Sequence, residues 1–87
     1  DQETESADIL FLLSFTEIKR NDLEGAKAHL HQVVELNPQF HEAHYNLALI
    51  YLEQGSFKEA KNYAENALNL QPEKQDYQEL VERITSL

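Results

Sequence analysis

Cysteine is absent, so neither a disulfide nor a thiolate metal site can hold this chain together. That absence suits reducing and oxidising compartments equally. Basic residues are scarce as well: seven Lys and Arg stand against 16 Asp and Glu, a formal net charge of −9. Nucleic acid is excluded as a partner by this balance, because its phosphates need a basic surface. An anionic membrane surface is excluded on the same ground. The favoured partner is a basic protein or peptide, although an acidic surface also serves solubility by itself. No run of about 18 apolar residues occurs, so no segment reads as a bilayer span. The apolar cluster Ile9–Phe15 is too short for one, and acids rather than bases precede it, which is the wrong flank for a secretory signal. Gly25 and Gly55 stand alone, which leaves no glycine-rich phosphate loop. The chain opens on Asp1 rather than methionine, as expected of a processed protein or a piece of a longer one.

What is present is helical periodicity. The 87 residues make one small domain, which buries only about 60–65% of the surface its unfolded form exposes. With disulfides excluded, oligomerisation or neighbouring repeats are the remaining support. Residues 1–6 are polar and acidic and read as a tail, with Thr4 or Ser6 able to cap the helix that follows. From Ala7 to Arg20 apolar residues cover nearly the whole helix circumference, a pattern of burial on more than one side. Asn21-Asp22 breaks that helix, and Asp22 can cap a second one over Leu23–Leu36, which Asn37-Pro38 ends. A third helix covers His41–Gln54, and Gly55 supplies the positive φ at its end. Ser56-Phe-Lys-Glu59 matches a capping box and opens a fourth helix, ended by Gln71-Pro72. Gln75–Leu87 is a fifth, with the narrow stripe Tyr77, Leu80, Val81, Ile84 and Leu87 and an otherwise charged surface, as suits a helix that closes an array.

Residues 7–40 overlay residues 41–74 without a gap, at a shift of 34. Leu13 falls on Leu47, Ala26 on Ala60, Lys27 on Lys61, Leu36 on Leu70 and Pro38 on Pro72. Similar pairs include Phe11 with Tyr45, Ser14 with Ala48 and Ile18 with Leu52. A helix–turn–helix unit of that period resembles the tetratricopeptide repeat (TPR) family. In the second unit Leu47, Ala48, Tyr51, Gly55, Phe57, Ala60, Ala67 and Pro72 stand at the family's signature places, and His44 replaces a frequent tryptophan. The first unit keeps Leu13, Ser14, Ala26, Val33 and Pro38 but carries Glu17 for the tyrosine and Asn21 for the glycine. The resemblance implies an all-α fold: a right-handed superhelical array of helix–turn–helix repeats, an α-solenoid of five helices. It divides the chain into a tail over 1–6, repeats over 7–40 and 41–74, and a capping helix over 75–87. Ser14, Ala48, Ala26 and Ala60 are then small because paired helices cross there, and Leu10, Leu13, Leu47 and Tyr51 belong to the core.

Chemistry-bearing clusters are few. His41-Glu-Ala-His44 is one residue short of the zinc-protease pattern, whose ligands need i,i+4 spacing. His29 and His31 point to different sides of a helix. Without further ligands no metal site is expected, nor any cofactor. His44 reads as a ring at the core edge, and the other histidines as surface groups. No nucleophile–base pair has a recognisable context, so no enzymatic activity is expected.

The resemblance also selects a concave face, lined by the first helix of each pair. In this chain it comprises Asp8, Phe11, Phe15, Ile18 and Lys19, then Glu42, Tyr45, Asn46, Leu49, Leu52 and Glu53, then Asp76, Glu79 and Arg83 from the last helix. That is an apolar floor with an acidic rim, suited to a basic, amphipathic peptide or helix. Chaperone-binding members of the family grip a terminal carboxylate. Here only Asn46 matches that clamp, while Phe11, Phe15, Asp76 and Leu80 take the other positions, so acidic tails are disfavoured. The expectation is therefore a protein-interaction module. The alternative is an assembly element in which the apolar first helix packs on another copy, giving a homodimer, or on an upstream repeat.

Overall fold

The computed structural model describes the backbone of residues 2–87 and the side chains of residues 6–87. Five helices follow one another: α1 (Gln2–Lys19), α2 (Leu23–Leu36), α3 (His41–Glu53), α4 (Phe57–Leu70) and α5 (Gln75–Thr85). No strand occurs among the described residues. Residues 2–6, expected as a tail, continue α1 instead. They are rich in Gln and Glu, which propagate helices well, and acids at a helix start complement its dipole. Ser6 therefore lies inside α1 rather than capping it. Asp1 and the side chain of Thr4 lie outside the described residues.

The two hairpin turns are built alike. Asn21 adopts φ 61° and Gly55 φ 79°. At the first turn the Asn21 N–H donates to the Ile18 carbonyl at 3.0 Å and the Asp22 N–H to Glu17 at 2.8 Å. At the second, Gly55 donates to Leu52 at 3.1 Å and Ser56 to Tyr51 at 2.8 Å. Both are Schellman closures around a left-handed residue, which Asn tolerates and Gly adopts freely. Asp22 then caps α2, accepting from the Gly25 N–H at 3.1 Å. Ser56 makes no such side-chain bond, so the expected capping box is not formed. Its own N–H is already given to Tyr51, which removes the donor that Glu59 would reciprocate.

α1 packs chiefly on α2, and α3 on α4; α2 then packs on α3, and α4 on α5. The helix pairs cross at fully buried small residues, Ser14 and Ala26 in the first pair, Ala48 and Ala60 in the second. The Ser14 hydroxyl donates to the Phe11 carbonyl at 2.6 Å, so its burial leaves no unpaired donor. One core cluster joins Ala26, Leu30 and Val33 of α2 with Ala43, Leu47 and Ile50 of α3. A second joins Ala48, Ala60 and Ala64 with Leu80 and Ile84 of α5. Tyr51 and Tyr63, stacked at 5.7 Å and 5°, border both.

Leu13 departs from expectation. It is 43% exposed, whereas its counterpart Leu47 is fully buried. The face of α3 that carries Leu47 is covered by α2, and no helix among the described residues covers the same face of α1. Phe57, at another signature position, is likewise half exposed.

Candidate functional site

The first helices of the two hairpins leave a cleft between them. Its volume is about 350 Å³. Phe15 and Ile18 line it from α1, Leu23 from the start of α2, and Asn46, Leu49, Ile50 and Glu53 from α3. The spacings of three and four residues place these side chains on one stripe of each helix. Phe15 keeps half its surface open, and the Lys19 ammonium sits 5.2 Å from its ring centre. Glu53 is exposed at the rim and makes no ion pair among the described residues.

The expected groove residues divide into three sets. Phe15, Ile18, Asn46, Leu49 and Glu53 line the cleft, with Lys19 over the Phe15 ring. Phe11 does not join them. Its ring lies 4.8 Å from that of Phe40, tilted by 36°, and it packs against the first core cluster. Phe40, in the turn before α3, draws it inward, so the floor of the groove narrows to Phe15 and Ile18. Leu52 is half-buried against the second core cluster, and Asp8 is exposed outside the cleft wall.

The third set gathers between α3 and α5. Tyr45 lies 4.8 Å from Tyr77, tilted by 35°. Burial raises the pKa of the Tyr45 hydroxyl, Asp76 and Glu79 push it the same way, and Arg83 opposes them. These residues therefore share one neighbourhood. The Tyr77 hydroxyl is pushed up to about 12 by burial first, then by Glu42, Tyr45 and Asp76. It meets His41 Nδ1 at 2.7 Å, and the other ring nitrogen of His41 faces Glu42 at 3.4 Å. Glu79 accepts from Gln75 at 2.9 Å. Both phenols stay neutral at ordinary pH beside three carboxylates. The carboxylates attract a cation electrostatically, whereas the Tyr77 ring is buried and the Lys74 ammonium sits 5.7 Å from its centre. Tyr45 and Leu49 are one turn apart on α3, so this acidic patch adjoins the apolar cleft.

Three histidines expected at the surface are instead joints between helices. His29 Nδ1 meets Glu17 at 2.7 Å, His31 bridges the hydroxyls of Tyr51 (2.8 Å) and Tyr63 (3.4 Å), and His41 joins Tyr77. His44 is buried as expected, and its Nε2–H donates to the Pro38 carbonyl at 2.8 Å. No group of three or more potential metal ligands gathers among the described residues. No helix of the described residues is long and apolar enough to cross a membrane.

Residues 17–84 match the sequence model of the tetratricopeptide repeat. The chain belongs to the tetratricopeptide repeat family. Its fold superposes on the crystal structure of MamA with a TM-score of 0.89 at 20% identity, over 93% of this chain and 47% of that one. It superposes on YrrB, described as a TPR protein with an unusual peptide-binding site, with a TM-score of 0.85 at 26% identity, over 93% of this chain and 42% of that one. The chain thus spans less than half the length of either structure. No curated protein matches its sequence. The TPR array explains why the cleft forms where it does: successive first helices stand side by side and leave a concave seam. Leu23, Ile50 and Tyr77 belong to the site without having been expected there. Ile50 had a signal, since it continues the i,i+4,i+7 stripe Ala43–Leu47. Tyr77 had none, because its pairing with Tyr45 depends on how α5 docks.

Proposed function

We propose that this TPR chain is a non-enzymatic protein-interaction module that takes a basic, amphipathic peptide or helix along α1, α3 and α5. It is organised as repeats over 7–40 and 41–74 closed by 75–87. The observation that carries the reading is the juxtaposition of an apolar cleft at Phe15, Ile18 and Leu49 with carboxylates at Glu53, Glu42, Asp76 and Glu79. An apolar anchor of the partner fills the cleft, and Lys or Arg side chains three to four residues on reach the acidic patch. The net charge of −9 steers such a partner and repels acidic ones. The peptide-binding site of YrrB, on the same fold, supports the class of ligand.

The test is a titration with amphipathic peptides carrying one aromatic or leucine anchor and basic flanks, matched against versions with acidic flanks. Phe15→Asp and Glu53→Lys are each expected to weaken the basic peptide about tenfold or more, and added salt to weaken it further. Equal affinity for basic and acidic peptides, or no change in either variant, would sink the reading.

A further inference from the structure

The cleft at Phe15 is apolar along its walls but not at its ends. Phe15, Ile18, Leu23, Leu49 and Ile50 supply the walls. Asn46 and Glu53 stand on the same stripe of α3, two helical turns or about 10 Å apart, with Leu49 and Ile50 between them. Asn46 is half-buried, and its carboxamide bonds to no other group among the described residues. It is not occluded either, since the buried side-chain atom that lacks a partner among the described residues is Nδ1 of His44. The polar atoms of Asn46 therefore stay open to whatever enters the cleft.

These groups decide which side chain of a partner the cleft accepts. A lysine or arginine would meet the Lys19 ammonium, which already lies 5.2 Å from the centre of the Phe15 ring. A carboxylate would meet Glu53 and the net charge of −9 behind it. Leucine or phenylalanine fits the walls, but either would strip water from Asn46 and give its carboxamide no partner, which costs more than an ordinary hydrogen bond gains. Serine or glutamine would pair with Asn46 and leave the apolar walls uncovered. An aromatic ring with an N–H or O–H on its edge meets both demands. Its faces cover the walls, and its edge donates to the Asn46 side-chain oxygen. Lys19 is exposed and makes no ion pair among the described residues, so its ammonium is free to lie against the face of a second ring as it does against Phe15. Glu53 is the weaker candidate for acceptor, because it is exposed at the rim and keeps its water.

We propose, resting on the peptide-groove reading above, that the anchor recognised by the cleft is a tryptophan or tyrosine whose edge N–H or O–H donates to the side-chain oxygen of Asn46. The test uses the full chain and one basic, amphipathic peptide made with six different anchors: tryptophan, indole-N-methyl tryptophan, tyrosine, O-methyl tyrosine, phenylalanine and leucine. Tryptophan or tyrosine is expected to bind about tenfold more tightly than phenylalanine and leucine. Methylation, which removes the donor and keeps the ring, is expected to abolish that advantage, and the pair in which it does so tells indole from phenol. Asn46→Leu keeps a similar shape and a good helix former, so its helical circular dichroism should be unchanged. In that variant methylation is expected to make no difference, and the phenylalanine peptide to bind at least as tightly as before. Glu53→Gln is expected to leave the ranking of anchors as it is. Equal binding of all six peptides, still lost with Phe15→Asp, overturns the donor-bearing anchor and leaves the groove standing. A penalty for methylation that persists in Asn46→Leu overturns it too, because the penalty is then steric. Binding of none of the six overturns the groove and its anchor together.

Discussion

At the scale of single residues, position in the array outweighs identity. Leu13 and Leu47 are the same amino acid at the same repeat position, yet one is 43% exposed and the other fully buried. Leu47→Ala is therefore expected to cost about 2–5 kcal/mol, because it leaves a cavity among α2 and α3, whereas Leu13→Ala should cost less than about 1 kcal/mol. Urea unfolding of both variants checks this; equal costs would mean that α1 is covered in solution. The divergent residues of the first unit have local accounts as well. Glu17 replaces the tyrosine found at Tyr51, and each holds a histidine of α2: Glu17 takes His29, Tyr51 takes His31. Gly25 lies beneath both carboxylates, and a Cβ there would come within 2.5 Å of Asp22 Oδ2 and 2.6 Å of Glu17 Oε2. None of these contacts was legible beforehand, because each joins side chains whose meeting depends on the crossing of two helices.

At the scale of elements, most of the architecture was legible. α2 spans the limits expected from Asp22 and Pro38, and α3 to α5 fall within about two residues of expectation, the usual latitude for helix ends. The reason is that turn chemistry and apolar period agreed: Asn21 and Gly55 take the left-handed conformation, and the prolines follow the second helices. The misreadings share a cause too. α1 extends back to Gln2 because good helix formers need no cap to continue, and the Ser56 box fails because a stronger backbone bond takes its N–H. The difference between the two second helices is measurable. Asp22→Ala should cost about 1 kcal/mol by removing the bond to Gly25, and Ser56→Ala only a few tenths. A comparable loss in both variants would show that Ser56 caps α4 in solution. The groove was half legible in the same way. The stripe Phe15–Ile18 and Asn46–Leu49–Glu53 follows from helical period, but the withdrawal of Phe11 follows only from where Phe40 lands.

At the scale of the whole molecule, the helices are stitched together by rings that titrate, and this bounds the pH range of the fold on both sides. His31 on α2 faces Tyr51 of α3 and Tyr63 of α4, with Lys27 and Glu35 of its own helix nearby. Burial lowers its pKa below the usual histidine value of 6.5, Lys27 lowers it further, and Glu35 opposes them. A base whose pKa is depressed by folding gains its proton more readily when unfolded. Its stabilising share is therefore complete above about pH 6.5 and is lost as pH falls through the lower native value. Tyr77 gives the opposite limit. Its pKa rises to about 12 from the ordinary 10, so its share is complete below pH 10 and is lost as pH climbs toward 12. The urea midpoint should thus be flat between about pH 7 and 9 and decline on either side. The exposed carboxylate of Glu24, held low by Gln54 and Lys27, contributes only further into acid, below 4.5. The decline between pH 6.5 and 5 consequently isolates His31. Replacing it with Gln, which keeps a donor and an acceptor without a titrating ring, should flatten that limb and leave the alkaline one intact. An unchanged acid limb in His31→Gln would overturn the assignment to this ring.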